Sequence, residues 1–333
     1  MRALVRRDNA VYVDRDAPDP APAAGEAVVR PTLCAVGPAD VAVARGDVPH
    51  QGVMGHRFVG VVEEIAGKPE SVRPGVAVGA RVVGDINIVD SKSELARRGL
   101  GRHAPDRAVL GLVKRDGCFA DRVALPVSNL AAVPDEVPDD AAVFAEPLAA
   151  AVHAAQIVRL EGKQYVTVLG DNLSALLCSL VMASLNHSVR LLGDRDDRQR
   201  IAEKWGVKHR PVGEVGRRQD QDIVVECTGA ASNVELALQL VRPRGKIILK
   251  AEPLPLPGVP STQSRGVDLL PVVLSEIELV GARCGRVGDG VDFLARHARD
   301  MNDLITRRVK LDDATSALRA ASDERALTVV IEV

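Results

Sequence analysis

The stretch Gly170-Asp171-Asn172-Leu173-Ser174-Ala175 stands between a β-branched run and an apolar helical one. In that setting a glycine-rich turn and a helix N-terminus present backbone N–H groups to the pyrophosphate of a dinucleotide. In the pattern G-x-G-x-x-G/A the first Gly makes the turn, the second admits the pyrophosphate, and the third permits close helix packing. Gly170 and Ala175 meet the first and third needs, and Asn172 replaces the second Gly. Asn enters left-handed backbone more readily than most residues, so the turn is expected to survive. Its side chain is expected to point into phosphate space and weaken or shift binding. The acidic residue that reads the ribose, roughly 20 residues on, falls at Gly193, with Asp194 and Arg195 next. Asp194 argues for NAD and Arg195 for NADP, and both stay open. Leu173, Thr228 and Gly229 complete the candidate cofactor site. The competing reading is a nucleotide-type sheet that has lost its ligand.

The elements around this turn alternate. Runs at 165–170, 189–193, 222–229, 246–251 and 277–285 read as strands. Helices are expected at 173–185, over 194–206 and from about Ser232 to Val241. Strand and helix in alternation predict a doubly wound parallel sheet. Before residue 145 the text is short β-branched runs cut by Gly and Pro, which predicts a compact, mainly antiparallel β domain. One polar, basic stretch, Ser91 to Arg107, reads as helix or loop. After the Pro-rich segment 252–266 come helices near 290–300 and 312–321 and a last strand, LTVVIEV.

Composition narrows the function classes. The 43 Lys and Arg nearly balance the 45 Asp and Glu without long blocks, which argues against nucleic acid as a partner. No apolar run reaches the ~20 residues needed to span a bilayer, and the N-terminus reads as a strand, so a cytoplasmic protein is expected. The five cysteines, at 34, 118, 178, 227 and 284, include no C-x-x-C pair, which supports neither disulfides nor a thiolate cluster. Only 2% of residues are aromatic, so the core must be aliphatic.

Five short motifs, in order, carry a resemblance. They are Cys34-Ala35-Val36-Gly37-Pro38-Ala39-Asp40, Gly55-His56-Arg57-Phe58-Val59-Gly60, Asp116-Gly117-Cys118-Phe119-Ala120-Asp121, Glu146-Pro147-Leu148-Ala149 and Gly281-Ala282-Arg283-Cys284-Gly285. Together they resemble the medium-chain dehydrogenase/reductase superfamily, in its branch of zinc alcohol, threonine and sorbitol dehydrogenases. The resemblance implies an α/β protein: a GroES-like β domain over 1–145, completed by 287–333, and a Rossmann domain over 146–286. It also implies a substrate cleft between the two domains.

In relatives of this type, zinc is held by a Cys, a His and a Glu, sometimes with a second Glu. Carried over, His56 and Glu146 remain, Gly37 replaces the thiolate and Arg57 replaces the second carboxylate. A guanidinium beside a dication is repulsive, and loss of the thiolate removes the strongest ligand. No zinc is therefore expected, and Arg57 is expected to pair with Glu146 or Asp40. The hydroxyl of the family's proton relay aligns with Ala39. The four cysteines of a structural zinc lobe align with Asp90, Ser93, Ala96 and Ala104, so that lobe is expected to rely on packing or salt bridges, or to be mobile.

These features imply a zinc-independent NAD(P)-linked oxidoreductase acting on a small carbonyl, alcohol or activated alkene. His56, Arg57, Asp40 and Glu146 would line its cleft, with Arg57 stabilising an oxyanion. The alternative is a catalytically inactive relative serving as a structural or regulatory subunit. A third reading, another metal held by His56, Glu146 and Asp40, is strained by Arg57. A homodimer or homotetramer is expected, joined through IELVGARC as a sheet edge, or a hetero-oligomer with an active paralogue.

Overall fold

The computed structural model describes residues 1–69, 73–159, 163–186, 188–251, 266–297 and 301–333. Two compact units emerge among them: Met1–Glu146 with Arg286–Val333, and residues 147–251 with 266–285.

The spine of the first unit is the long strand Glu26–Val36, whose EAVVRPTLCAV sequence is buried at nine of its positions, both faces being covered. It pairs antiparallel with Phe58–Ile65, Val123–Pro126 and the C-terminal strand Thr328–Glu332. Residues from opposite ends of the chain thus share one seven-stranded sheet. A smaller sheet joins Ala3–Arg7 to Ala10–Asp14 and Gly52–Val53. Among the described residues the strand pairs of this unit are antiparallel, with one exception, Ile305–Lys310 against Thr328–Glu332.

The second unit is a six-stranded parallel sheet. Its order is Lys208–Arg210, Val189–Leu192, Val166–Leu169, Gln221–Glu226, Val241–Leu249, Glu278–Gly281. The chain winds outward in one direction from Val166–Leu169, then returns to the other side at Gln221. The crevice beyond the carboxyl ends of those two strands is the switch point where such sheets take ligands. Every residue of Val166–Leu169 is buried. In the helix Leu173–Leu185, the run from Ser174 to Met182 is buried as well, so the turn at Gly170 is clamped between two core elements. Burial of each Leu there contributes ~1.5–3 kcal/mol.

The α/β class, with a mainly antiparallel β part and a doubly wound parallel sheet, matches the expectation. One strand differs. Lys208–Arg210 was not foreseen, because three charged or polar residues carry no apolar signal, yet His209 at its centre is buried. Another starts early: the strand expected at 246 begins at Val241, directly after the helix Ala231–Leu240. No helix among the described residues is long and apolar enough to cross a membrane.

Candidate active site and dinucleotide loop

Asp40 organises the first cluster. It lies in the first turn of the helix Pro38–Arg45, is fully buried, and accepts the Gly37 N–H at Oδ2 (2.8 Å). Its other oxygen, Oδ1, lies 2.9 Å from His56 Nδ1. The carboxylate therefore accepts the Nδ1 proton of His56 and leaves Nε2 as the ring nitrogen it does not engage. The backbone that presents His56 depends on Gly55, whose φ of +100° favours glycine and where a Cβ would overlap the Phe119 ring.

Arg57, next in sequence, donates from Nε to Glu146 Oε2 at 2.9 Å. Of the two expected partners Glu146 takes Arg57, and Asp40 takes His56. Side-chain exposures of 6% for Arg57 and 14% for Glu146 make this a shielded ion pair. Glu146 stands in the first turn of the helix Ala145–Val158, where the helix dipole favours a negative charge.

The guanidinium occupies the space a side chain at position 37 would enter. A Cβ on Gly37 would stand 2.9 Å from Arg57 Nη1 and 3.1 Å from His56 Cε1. The donors here do not fit a tetrahedral zinc ion, which requires three protein ligands: Gly37 offers none, and Glu146 is bonded to a guanidinium. Among the described residues no group of three or more His, Cys, Asp or Glu could hold a metal. Of the residues in the alternative metal reading, Asp40 is engaged by His56 and the Gly37 amide, and Glu146 by Arg57.

Two thiols lie beneath. Cys34 Sγ donates to the Cys118 carbonyl at 3.2 Å, and Cys118 Sγ to the Arg57 carbonyl at 3.6 Å. Burial pushes the Cys118 thiol well up, so it is a neutral donor and no nucleophile. The lobe expected to lack structural zinc is tied by hydrogen bonds. Arg107, buried, reaches the Ala104 carbonyl (2.8 Å) and Asn87 Oδ1 (3.3 Å), and Ser93 caps the short helix Glu94–Arg97. Arg107 was missed because a lone Arg in a polar stretch reads as surface.

In the second unit Gly170 has φ +126°, and a Cβ there would stand 2.9 Å from Thr228 Cγ2. The expectation for Asn172 is corrected. Its backbone is extended (φ −87°, ψ 172°), and its side chain is tied down as the helix cap. Oδ1 accepts the Ala175 N–H at 2.9 Å, and Nδ2 donates to the Cys227 carbonyl at 2.7 Å. Asn is among the best N-caps because its amide satisfies an orphan N–H of the first turn. By helix geometry the Leu173 and Ser174 amides have no intrahelical acceptor.

Thr228 and Gly229 form the turn after Gln221–Glu226. The buried Glu226 carboxylate accepts the Thr228 N–H (2.7 Å), the Thr228 hydroxyl and the Gly229 N–H (3.0 Å). Asp194 Oδ1 accepts the Val212 N–H at 2.9 Å. Arg195 makes two bonds of 3.2 Å to Asp197, and Arg198 approaches the same carboxylate at 3.0 Å. Partial burial opposes ionisation of Asp197, but the Arg195 bond and the Arg198 charge outweigh it and hold the group below the usual carboxylate range.

Asp171, which sequence reasoning passed over, is the unexpected residue. Its Oδ2 accepts the Asp194 N–H at 2.7 Å, and its carbonyl accepts Arg198 Nε at 3.2 Å. A Cβ on Gly193 would overlap this carboxylate. The only sequence signal was the coincidence of a bare Gly193 with an acid inside the loop.

Residues 23–135 match the alcohol dehydrogenase GroES-like domain. The L-threonine 3-dehydrogenase of Anaeromyxobacter dehalogenans (strain 2CP-C) is 24% identical over 354 aligned positions, covering 100% of this chain and 99% of that protein. The L-threonine 3-dehydrogenase of Chelativorans sp. (strain BNC1) is 28% identical across 87% of this chain and 84% of its own length. Among solved structures, the alcohol dehydrogenase TADH from Thermus sp. ATN1 is similar with a TM-score of 0.84 and 24% identity, each chain covered in full. The alcohol dehydrogenase RspB of E. coli CFT073, complexed with NADH, gives a TM-score of 0.86 at 21% identity, covering 100% of this chain and 99% of its own. A two-unit protein with a GroES-like and a Rossmann part is the class so defined. The domain match, the relatives along the whole chain and the shared fold support the medium-chain dehydrogenase/reductase superfamily.

Proposed function

We propose that this protein is a zinc-independent, NAD(P)-linked oxidoreductase of small alcohols or carbonyls, activated alkenes included. The observation that carries the reading is the Arg57 guanidinium, paired with Glu146 at 2.9 Å and filling the space beside Gly37. The relatives named as L-threonine 3-dehydrogenases support the oxidoreductase class. The neighbour complexed with NADH supports a nicotinamide cofactor.

The second unit offers what a dinucleotide needs: Gly170 at the turn, the Leu173 and Ser174 amides at a helix N-terminus, and the switch-point crevice. When bound, the nicotinamide supplies hydride transfer. The chain's own residues supply the rest. His56, its Nδ1–H fixed on Asp40, exchanges a proton with the substrate oxygen at Nε2. Arg57 places fixed positive charge where an oxyanion develops, and Glu146 orients it.

Three measurements test this reading. Purified protein is expected to hold no stoichiometric zinc by elemental analysis; one zinc per chain overturns the claim. NADH or NADPH is expected to raise the melting temperature in proportion to ligand excess over Kd. Arg57→Met is expected to lower kcat ~10²–10³-fold with cofactor affinity unchanged.

One observation favours the second reading, an inactive structural or regulatory subunit: Asn172 Oδ1 already takes the Ala175 N–H that could face a phosphate. Absence of a thermal shift at millimolar NADH and NADPH would end the oxidoreductase reading and leave this one standing. We further propose a homo-oligomer through the outer edge of Glu278–Gly281, beside exposed Leu269, Leu270, Val273 and Leu274. A cytoplasmic location is supported by the five free cysteines, which suit a reducing compartment.

A further inference from the structure

We propose that Asp171 supplies the carboxylate that reads the adenosine ribose diol, so that this chain selects NAD(H) over NADP(H). The inference rests on the reading that a dinucleotide binds the second unit. In sheets of this kind the ribose-reading acid sits at the end of the second strand. Here Val189–Leu192 ends on Gly193, which has no side chain.

The missing group is supplied from the neighbouring loop. Asp171 leaves the first strand one residue after Gly170 and lays its carboxylate over Gly193, in the space where a side chain at 193 would begin. Two contacts hold it there: the Asp194 N–H on Oδ2 (2.7 Å) and Arg198 Nε on the main-chain carbonyl (3.2 Å). A loop aspartate has thus taken the position of a strand-end acid.

The alternatives nearby are engaged elsewhere. Asp194 turns its carboxylate to the Val212 N–H at 2.9 Å. Arg195, the residue suited to a 2′-phosphate, holds Asp197 through two bonds of 3.2 Å, and Arg198 pairs with the same acid at 3.0 Å. The group that lies over Gly193 is the Asp171 carboxylate. It accepts hydrogen bonds from a diol and repels a phosphate monoester.

Unsatisfied atoms point to a ligand at the same place. Asp171 Oδ1 is buried and has no hydrogen-bond partner in the structure. Beside it, His209 is 3% exposed, with neither ring nitrogen partnered, and its Nε2 lies 3.9 Å from that oxygen. Buried polar atoms are rarely left without partners, and each orphan weighs against stability. A vicinal diol carries two hydroxyls at a spacing that suits a carboxylate beside an imidazole. His209 lies on the edge strand Lys208–Arg210, so the site draws on three neighbouring segments of the sheet's carboxyl end.

The test uses the full-length protein and calorimetric titration with NADH, NADPH, ADP-ribose and 2′-phospho-ADP-ribose. The wild type is expected to bind NADH and ADP-ribose at least tenfold tighter than their 2′-phosphorylated counterparts. Asp171→Asn is expected to erase that ratio, whereas Asp194→Asn leaves it intact. A wild-type ratio near one, or one favouring the phosphorylated ligands, overturns the proposal without any variant. So does an unchanged ratio in Asp171→Asn, or tighter binding of every ligand in Asp171→Ala, which would make the carboxylate a plug. If the wild type binds none of the four, the dinucleotide reading itself falls and takes this inference with it; if it binds them irrespective of Asp171, only the inference falls.

Discussion

The cluster around Arg57 and the loop around Asp171 have each replaced an inherited group with the protein's own side chains, and they have done so differently. At Arg57 the replacement is a change of charge, a guanidinium where the relatives' pattern implies a metal ligand, locked by Glu146 at 2.9 Å in a shielded setting. At the loop the replacement is a rearrangement of neutral and acidic acceptors around an intact turn. The first sets a fixed positive charge in a poorly screened site, where it opposes a dication. The second consists of exposed or half-buried hydrogen bonds that a ligand can exchange for its own.

The sharpest way to break this contrast is to unpair Arg57. Glu146→Gln removes the carboxylate bonded to Arg57 Nε and is expected to destabilise the protein by ~3–5 kcal/mol in urea unfolding, while Arg57→Met in the same chain restores most of it. Near-equal stability of single and double variants would mean the ion pair is solvated.

Next comes the space itself. Gly37→Cys alone is expected to cost ~1–3 kcal/mol, since its Cβ would stand 2.9 Å from Arg57 Nη1. Combined with Arg57→Glu, the same Cys is expected to copurify with zinc, measured by elemental analysis. Zinc bound by Gly37→Cys without the second change would show that the guanidinium does not guard the site.

The loop is expected to be softer. Asn172→Ala loses the helix cap and about 1 kcal/mol, whereas Asn172→Gly loses only a few tenths and frees the Ala175 N–H for a phosphate, which calorimetry would register as tighter NADH binding.

The smallest expected effect is one of pH. His50, near the first cluster, is 4% exposed, and burial lowers its pKa from 6.5 although Nε2 meets the Val53 carbonyl at 2.9 Å. A depressed folded pKa means the unfolded chain takes up the proton first. The stability His50 contributes is therefore complete above 6.5 and declines as the pH falls below it. His50→Gln is expected to flatten the unfolding free energy across that interval.

The parallel sheet was largely legible, because runs such as YVTVLG and DIVVECTG are continuous and apolar, as strands buried on both faces must be. Lys208–Arg210 escaped for the converse reason: as a short edge strand of polar residues, it owes its state to pairing with Val189–Leu192. The candidate site was legible as a set of names. Gly37, His56 and Arg57 announce a changed charge, and Asp40 and Glu146 lie within the same motifs. Their partners were not, since an Arg between two available acids offers no means of choosing one.

The sequence by itself determined the sheet's apolar strands, the turn at Gly170 and the absence of a thiolate at position 37, because these follow from local residue type, periodicity and motif order. The tertiary structure alone decided that Arg57 takes Glu146, that Asn172 Nδ2 reaches the Cys227 carbonyl, and that Asp171 covers Gly193. Each of these depends on distances between segments 20 to 90 residues apart in the chain. Local propensity cannot encode such distances, and only the packing of strands and helices against one another sets them.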